Sequence, residues 1–287
     1  TQVFARSTGT NLQKVYSELA AASRTASESV TARLKEAMWL YWSKRYTEAM
    51  GKAAEFIDSY PENVNVAQAR DIIWLSFQKE LTNSMAEKNY GRILLLWNGF
   101  PLVRERYGAI DPRMRYALAQ GMLERGDDDA ALGMLGEFLK SPMNPEYGEA
   151  AFTEYFNRYL KAGAWAKILD LGRLVNGWPL KPQLRNQLDY AMALSAQNLN
   201  LAGPALAMWK NLAEREELPL YQRAYATYFL ARDAEQRKDI RSSYTLNRKV
   251  IELFTQLQDE RSDKADPQRI KDAMLSLMDI CEVGNRV

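Results

Sequence analysis

The chain has 287 residues, of which 47% are hydrophobic and 26% charged, and its 38 basic and 36 acidic residues leave a net charge of +2. That is the composition of an ordinary folded protein, and the near balance of charge supplies no basic field of the kind nucleic-acid binding requires. With no histidine and a single cysteine, Cys281, a Ser-His-Asp or Cys-His arrangement, a His/Cys zinc site and an intramolecular disulfide are all excluded.

Helical periodicity runs along nearly the whole chain, with glycine and proline falling between the periodic segments. Residues 11–22 predict a first helix with Leu12, Val15, Tyr16 and Leu19 on one face. The Ser/Thr-rich stretch 23–31 reads as a polar linker. A first hairpin comes next: Leu34, Ala37, Met38 and Tyr41 stand at helical spacing, Lys44 and Arg45 close that helix, and Ala49, Ala53, Phe56 and Ile57 form the stripe of a second helix ended by Pro61. In the second hairpin the first helix, near 66–87, is longer than its counterparts. The second helix stops at Pro101, and residues 107–112 read as a long connection. Hairpins three to six are regular: 114–124 with 130–139, 150–160 with 166–175, 184–197 with 204–214, and 221–236 with 241–257. Their turns are short and force antiparallel neighbours. A charged linker, 258–265, leads to a last helix with Asp266 as N-cap and Pro267 at its first position. Ile270, Met274, Leu277, Met278 and Cys281 are its expected apolar stripe, which makes Cys281 a small buried residue.

A register underlies these hairpins. Ala49, Ile93, Ala131, Ile168, Ala205 and Ser243 each stand near the front of a second helix, at intervals of 44, 38, 37, 37 and 38 residues. Such a period marks supersecondary units that bury their apolar faces only by stacking. Three parts are expected: an N-terminal helix and linker over 1–28, helical repeats over 29–257, and a charged linker with a capping or partial-repeat helix over 258–287. The uncharged stretch from Tyr190 to Trp209 is broken by Asn198, Asn200, Gly203 and Pro204. It therefore reads as two amphipathic helices and not as a membrane span. The chain opens on Thr1, as a processed product or an excised fragment would, and cytoplasm and periplasm suit it equally.

These residues resemble the tetratricopeptide repeat family. In the first hairpin Tyr46, Ala49, Phe56 and Pro61 fall at the family's spacing, with Ala37 at the helix crossing. The third matches through Ala119, Gly126, Ala131, Leu135, Phe138 and Pro142, the fourth through Gly163 and Trp165, the fifth through Ala193, Ala205, Trp209, Leu212 and Pro219, and the sixth through Ala231 and Ser243. The second keeps only Tyr90 and Ile93. The resemblance covers about residues 29–257. It implies an all-α, right-handed superhelical solenoid of about six antiparallel hairpins with flanking helices. It also implies a non-catalytic scaffold, without cofactor or metal, whose first helices line a concave wall for a protein or peptide partner. Carried onto this chain, the wall consists of Arg113, Tyr116, Gln120, Asn157, Lys161, Tyr190, Gln197, Tyr225, Tyr228 and Arg232. Tyr116, Tyr190 and Tyr228 stand at equivalent places in three hairpins.

Asp127, Asp128 and Asp129 lack the alternating ligands of a calcium loop and read as dipole-favoured residues at a helix start. A rival function is a carbohydrate-active enzyme on an α/α toroid, which needs two carboxylates facing across a cleft. Glu154 and Asp189 are available residues of that kind, and nothing in their spacing singles them out.

Overall fold

The computed structural model describes residues 9–22, 26–107 and 111–284. Among them the protein is all-helical, with fifteen helices and no strand. It divides into two compact units, Thr1–Phe138 and Leu139–Val287. In both, successive helices pack against one another in chain order.

The first unit holds α1 (Gly9–Ala22), α2 (Ala26–Trp42), α3 (Tyr46–Ser59), α4 (Val66–Ala86), α5 (Tyr90–Gly99), α6 (Pro101–Tyr107), α7 (Pro112–Glu124) and most of α8 (Asp128–Leu139). Its core is one continuous cluster that includes Met50, Phe56, Ile73, Phe77, Leu81, Ile93 and Leu118. Two features depart from the sequence reading. Helix α2 starts at Ala26, inside the Ser/Thr-rich stretch read as linker, because serine and threonine are tolerated in a helix's opening turn; positions 23–25 lie outside the described residues. The chain beyond Pro101 is also helical. Proline at a helix's first position ends one helix and begins another, and α6 results. It packs on α4, whose 21 residues outrun the 13 of α7. Val103 is buried, and the Tyr107 ring meets Trp74, Phe77 and Trp97 edge-on at 5.5, 6.3 and 5.7 Å. The extra length of α4 is thus what α6 covers. Residues 108–110 of the expected connection lie outside the described residues.

The second unit holds α9 (Gly148–Lys161), α10 (Trp165–Leu174), α11 (Pro182–Asn198), α12 (Ala202–Glu214), α13 (Leu220–Gln236), α14 (Ile240–Asp259) and α15 (Pro267–Gly284). Trp209 is buried on α12 and stacks on Phe229 of α13 at 4.6 Å, a contact worth about 0.5–1.5 kcal/mol beyond its area. Phe254, Val250 and Leu257 of α14 pack with Ala231 of α13 and Ala273 of α15.

The register found in the sequence has a backbone counterpart. Lys44, Lys88, Gly126, Gly163, Asn200 and Lys238 all have positive φ, between 56° and 78°. Their intervals match those of Ala49, Ile93, Ala131, Ile168, Ala205 and Ser243, all six of which are buried. At every one of these turns the next residue donates its N–H to a carbonyl five positions back: Arg45 to Leu40, Asn89 to Ser84, Asp127 to Met122, Ala164 to Tyr159, Leu201 to Ala196 and Asp239 to Ala234, at 2.8–3.0 Å. This left-handed stop satisfies the helix's last carbonyls and turns the chain back. Only Gly126 and Gly163 make the conformation without steric cost, which is why a glycine search alone would miss four of the six.

The last helix shows the clearest change of face. Asp266 caps it, accepting from the Gln268 N–H at 3.0 Å, as its sequence predicts. The expected stripe packs only in part: Ile270 lies against the core and Leu277 is half-buried, whereas Met274 and Met278 are 50% and 60% exposed, Cys281 is exposed, and Ala273 is buried. Polar bonds from Arg269, Asp272 and Ser276 to α13 decide which side packs.

Candidate functional site

In the second unit the first helices of successive hairpins, α9, α11 and α13, enclose a pocket of about 310 Å³. Helix α9 contributes Phe156, Asn157 and Leu160, α11 contributes Gln187, Tyr190, Ala191 and Leu194, and α13 contributes Tyr221 and Gln222. No charged side chain lines it. Helical spacing explains the set: Asn157 and Leu160, or Gln187, Tyr190 and Leu194, are three or four residues apart and share a face. The volume sits at the small end of the roughly 300–1,000 Å³ typical of ligand sites.

One polar group in this wall is buried without a partner. The Gln222 side chain is 1% exposed and its Nε2 donates to the Tyr221 hydroxyl at 3.0 Å, while its Oε1 is buried with no hydrogen bond. A buried acceptor left unpaired costs about 1–3 kcal/mol, so natural proteins keep few of them. The Tyr190 ring lies edge-on to Trp209 at 5.7 Å and to Tyr221 at 5.9 Å. Its hydroxyl makes no hydrogen bond among the described residues. Burial, with Tyr225 and Tyr221 adding, pushes its pKa well above the ordinary tyrosine value.

The other sequence-predicted residues fall in different surroundings. Lys161 is exposed at the end of α9. Gln197 accepts from the Trp209 indole N–H at 3.3 Å, which ties α11 to α12. Tyr225 packs edge-on against Phe254 at 5.1 Å, and its pKa is raised by burial and by Asp266. Tyr228 is 8% exposed and clamped. The Arg269 and Arg232 guanidinium carbons stand 4.5 and 5.2 Å from its ring centre, and its hydroxyl accepts from Arg269 Nη1 at 2.8 Å and donates to Asp272 Oδ2 at 3.3 Å. Arg232 also donates to Asn247 Oδ1 and Ser276 Oγ at 2.8 and 3.0 Å and pairs with Glu235 at 2.6 Å. Tyr228 and Arg232 therefore bind α15 to α13 and α14. In the first unit, Arg113, Tyr116 and Gln120 share α7. Arg113 donates to Thr82 Oγ1 at 3.3 Å, and Tyr116 meets the Tyr90 ring edge-on at 6.0 Å.

The structure thus brings Asn157 and Tyr190 into one pocket and places Tyr228 and Arg232 in an internal network. The sequence reading missed Gln222. Its signal was an amide on α13 four residues, one helical turn, before the buried Ala226. It also missed Glu80, a 6%-exposed carboxylate in the first unit that accepts from Arg92 Nη2 at 2.9 Å and Thr47 Oγ1 at 3.1 Å.

The carboxylates named for a toroidal enzyme are each paired nearby, Glu154 with Arg158 at 2.7 Å and Asp189 with Arg215 at 2.8 Å. Among the described residues no group of three or more carboxylates and thiols converges to hold a metal ion. None of the described helices is long and apolar enough to cross a membrane. Asp128 and Asp129 lie in the first turn of α8. No protein-family model matches the chain, and no curated protein is significantly similar to it.

Proposed function

We propose that the chain is a non-catalytic interaction module of the tetratricopeptide-like kind, which holds an extended segment of a partner protein along the first helices of its hairpins. The observation that carries this reading is the uncharged pocket spanning α9, α11 and α13, with an unpaired buried amide oxygen in its wall. A preformed helical wall loses little freedom on binding, so the ordering cost falls on the partner. Amphipathic tyrosines with adjacent amides suit contacts of this type. On this reading Asn157 and Tyr190 are the central contacts, Lys161 and Tyr225 flank them, and Arg113, Tyr116 and Gln120 offer a separate stretch on α7. The recurrent turns and buried register residues support a solenoid built from six hairpins.

Selection of a random-peptide library on the whole chain tests the proposal. Peptides should enrich, and their capture should fall at least tenfold on Asn157→Arg, an exposed substitution that puts bulk and charge at the pocket without disturbing the core. Enrichment of no peptide, or capture indifferent to Asn157→Arg, would count against it.

A further inference from the structure

The pocket on α9, α11 and α13 has a chemistry narrower than peptide binding in general. Its wall is aromatic and aliphatic, it carries no charge, and its unmet hydrogen-bonding capacity includes the acceptor Gln222 Oε1. A charged occupant would lose its hydration without compensation. A purely apolar one would leave the Gln222 oxygen unpaired. The side chain that is flat, apolar and a hydrogen-bond donor with no acceptor is tryptophan. Tyr190 and Tyr221 present ring faces and edges for it to pack on. The glutamine's terminal torsion is broad and roughly two-fold; turning the oxygen into the pocket gives up the Nε2 bond to the Tyr221 hydroxyl, which can instead donate to the same two-lone-pair oxygen.

We infer that this pocket seats a tryptophan side chain of the partner segment, with the indole N–H donating to Gln222 Oε1. The inference rests on the groove reading above and narrows it to one anchor. Gln222 would set specificity by hydrogen bonding and contribute little to the fold, since Gln222→Leu removes a buried unpaired oxygen along with the single Nε2 bond to Tyr221, two opposed effects of similar size.

The test is a fluorine-NMR titration of the whole chain with 6-fluoroindole and with 6-fluorobenzothiophene, which has the same shape and no N–H. Beside it runs a hexapeptide with one central tryptophan and its phenylalanine counterpart. The indole should bind saturably and at least fivefold tighter than the benzothiophene, and the tryptophan peptide at least tenfold tighter than free indole. Gln222→Leu should abolish the indole preference and leave the melting temperature within a few degrees of the parent. Equal binding of the two probes, binding of neither, or a preference that survives Gln222→Leu would overturn the inference. So would a peptide no tighter than indole, which would mark a site for the free heterocycle. Peptides held through Asn157 that carry no tryptophan, with no indole preference, would sink this inference and leave the groove reading standing.

Discussion

Tyr190 and Tyr228 occupy equivalent places on consecutive first helices, α11 and α13, yet the structure gives them opposite surroundings. Tyr228 is held on its ring by two guanidinium groups and on its hydroxyl by Arg269 and Asp272, so its polar capacity is spent inside the protein. Tyr190 has aromatic neighbours and no hydroxyl clamp of that kind, beside a pocket whose amide is half used. The difference comes from the helix packed over each tyrosine. Helix α15 brings Arg269, Asp272 and Ser276 to the face of α13, whereas α13 brings Tyr221 and Gln222 to the face of α11. An identical residue at an equivalent place is structural in one hairpin and available in the next.

The largest disturbance should come from the residue beneath Tyr190. Trp209→Ala removes a nearly fully buried indole, and urea unfolding should show a loss of about 3–5 kcal/mol, with peptide capture lost as the wall collapses. Next, Arg269→Ala leaves Asp272 and the Tyr228 hydroxyl short of a partner. A loss of about 1–3 kcal/mol is expected, and hydrogen exchange should quicken in α15 before the α9–α12 segment responds. Tyr228→Phe should cost about 1 kcal/mol.

Alkaline titration reports on the buried tyrosines of the second unit. Burial raises the pKa of Tyr190, and raises that of Tyr155 to about 12, above the roughly 10 of an unfolded tyrosine. The folded state therefore favours the neutral hydroxyls. That contribution is complete below pH of about 10 and is lost as pH rises through the folded values. The urea midpoint should fall above about pH 10, and less steeply in Tyr190→Phe. The smallest effect is expected from Tyr190→Phe at neutral pH, within about 0.5 kcal/mol of the parent, because no bond is removed. A larger loss would mean that Tyr190 is structural after all and would dissolve the contrast with Tyr228.

The helix pairs were legible because amphipathic periodicity and small residues such as Ala49, Ala131 and Ala205 report directly on packing. The turn at Lys88 was harder to read, since a lysine in a left-handed conformation has no sequence signature of its own. Helix α6 was missed because Pro101 signals both an end and a beginning. The face of α15 was misjudged for a different reason: its orientation is set by Arg269, Asp272 and Ser276 finding partners 41 to 44 residues away, and a hydrophobic count over Met274, Met278 and Cys281 carries no record of that. The same limit applies to the site. Asn157 and Tyr190 could be placed on one wall by analogy between hairpins, whereas the unpaired oxygen of Gln222 exists only once α13 is packed.

The central claim, that the wall of α9, α11 and α13 is where a partner segment lies, is tested most directly by hydrogen exchange of the whole chain with and without a selected peptide. The account predicts added protection concentrated around residues 152–160, 187–194 and 220–226, with the exposed face of α15 near Met274 and Met278 unchanged. Protection confined to α15, or spread with no emphasis on those three helices, would contradict it.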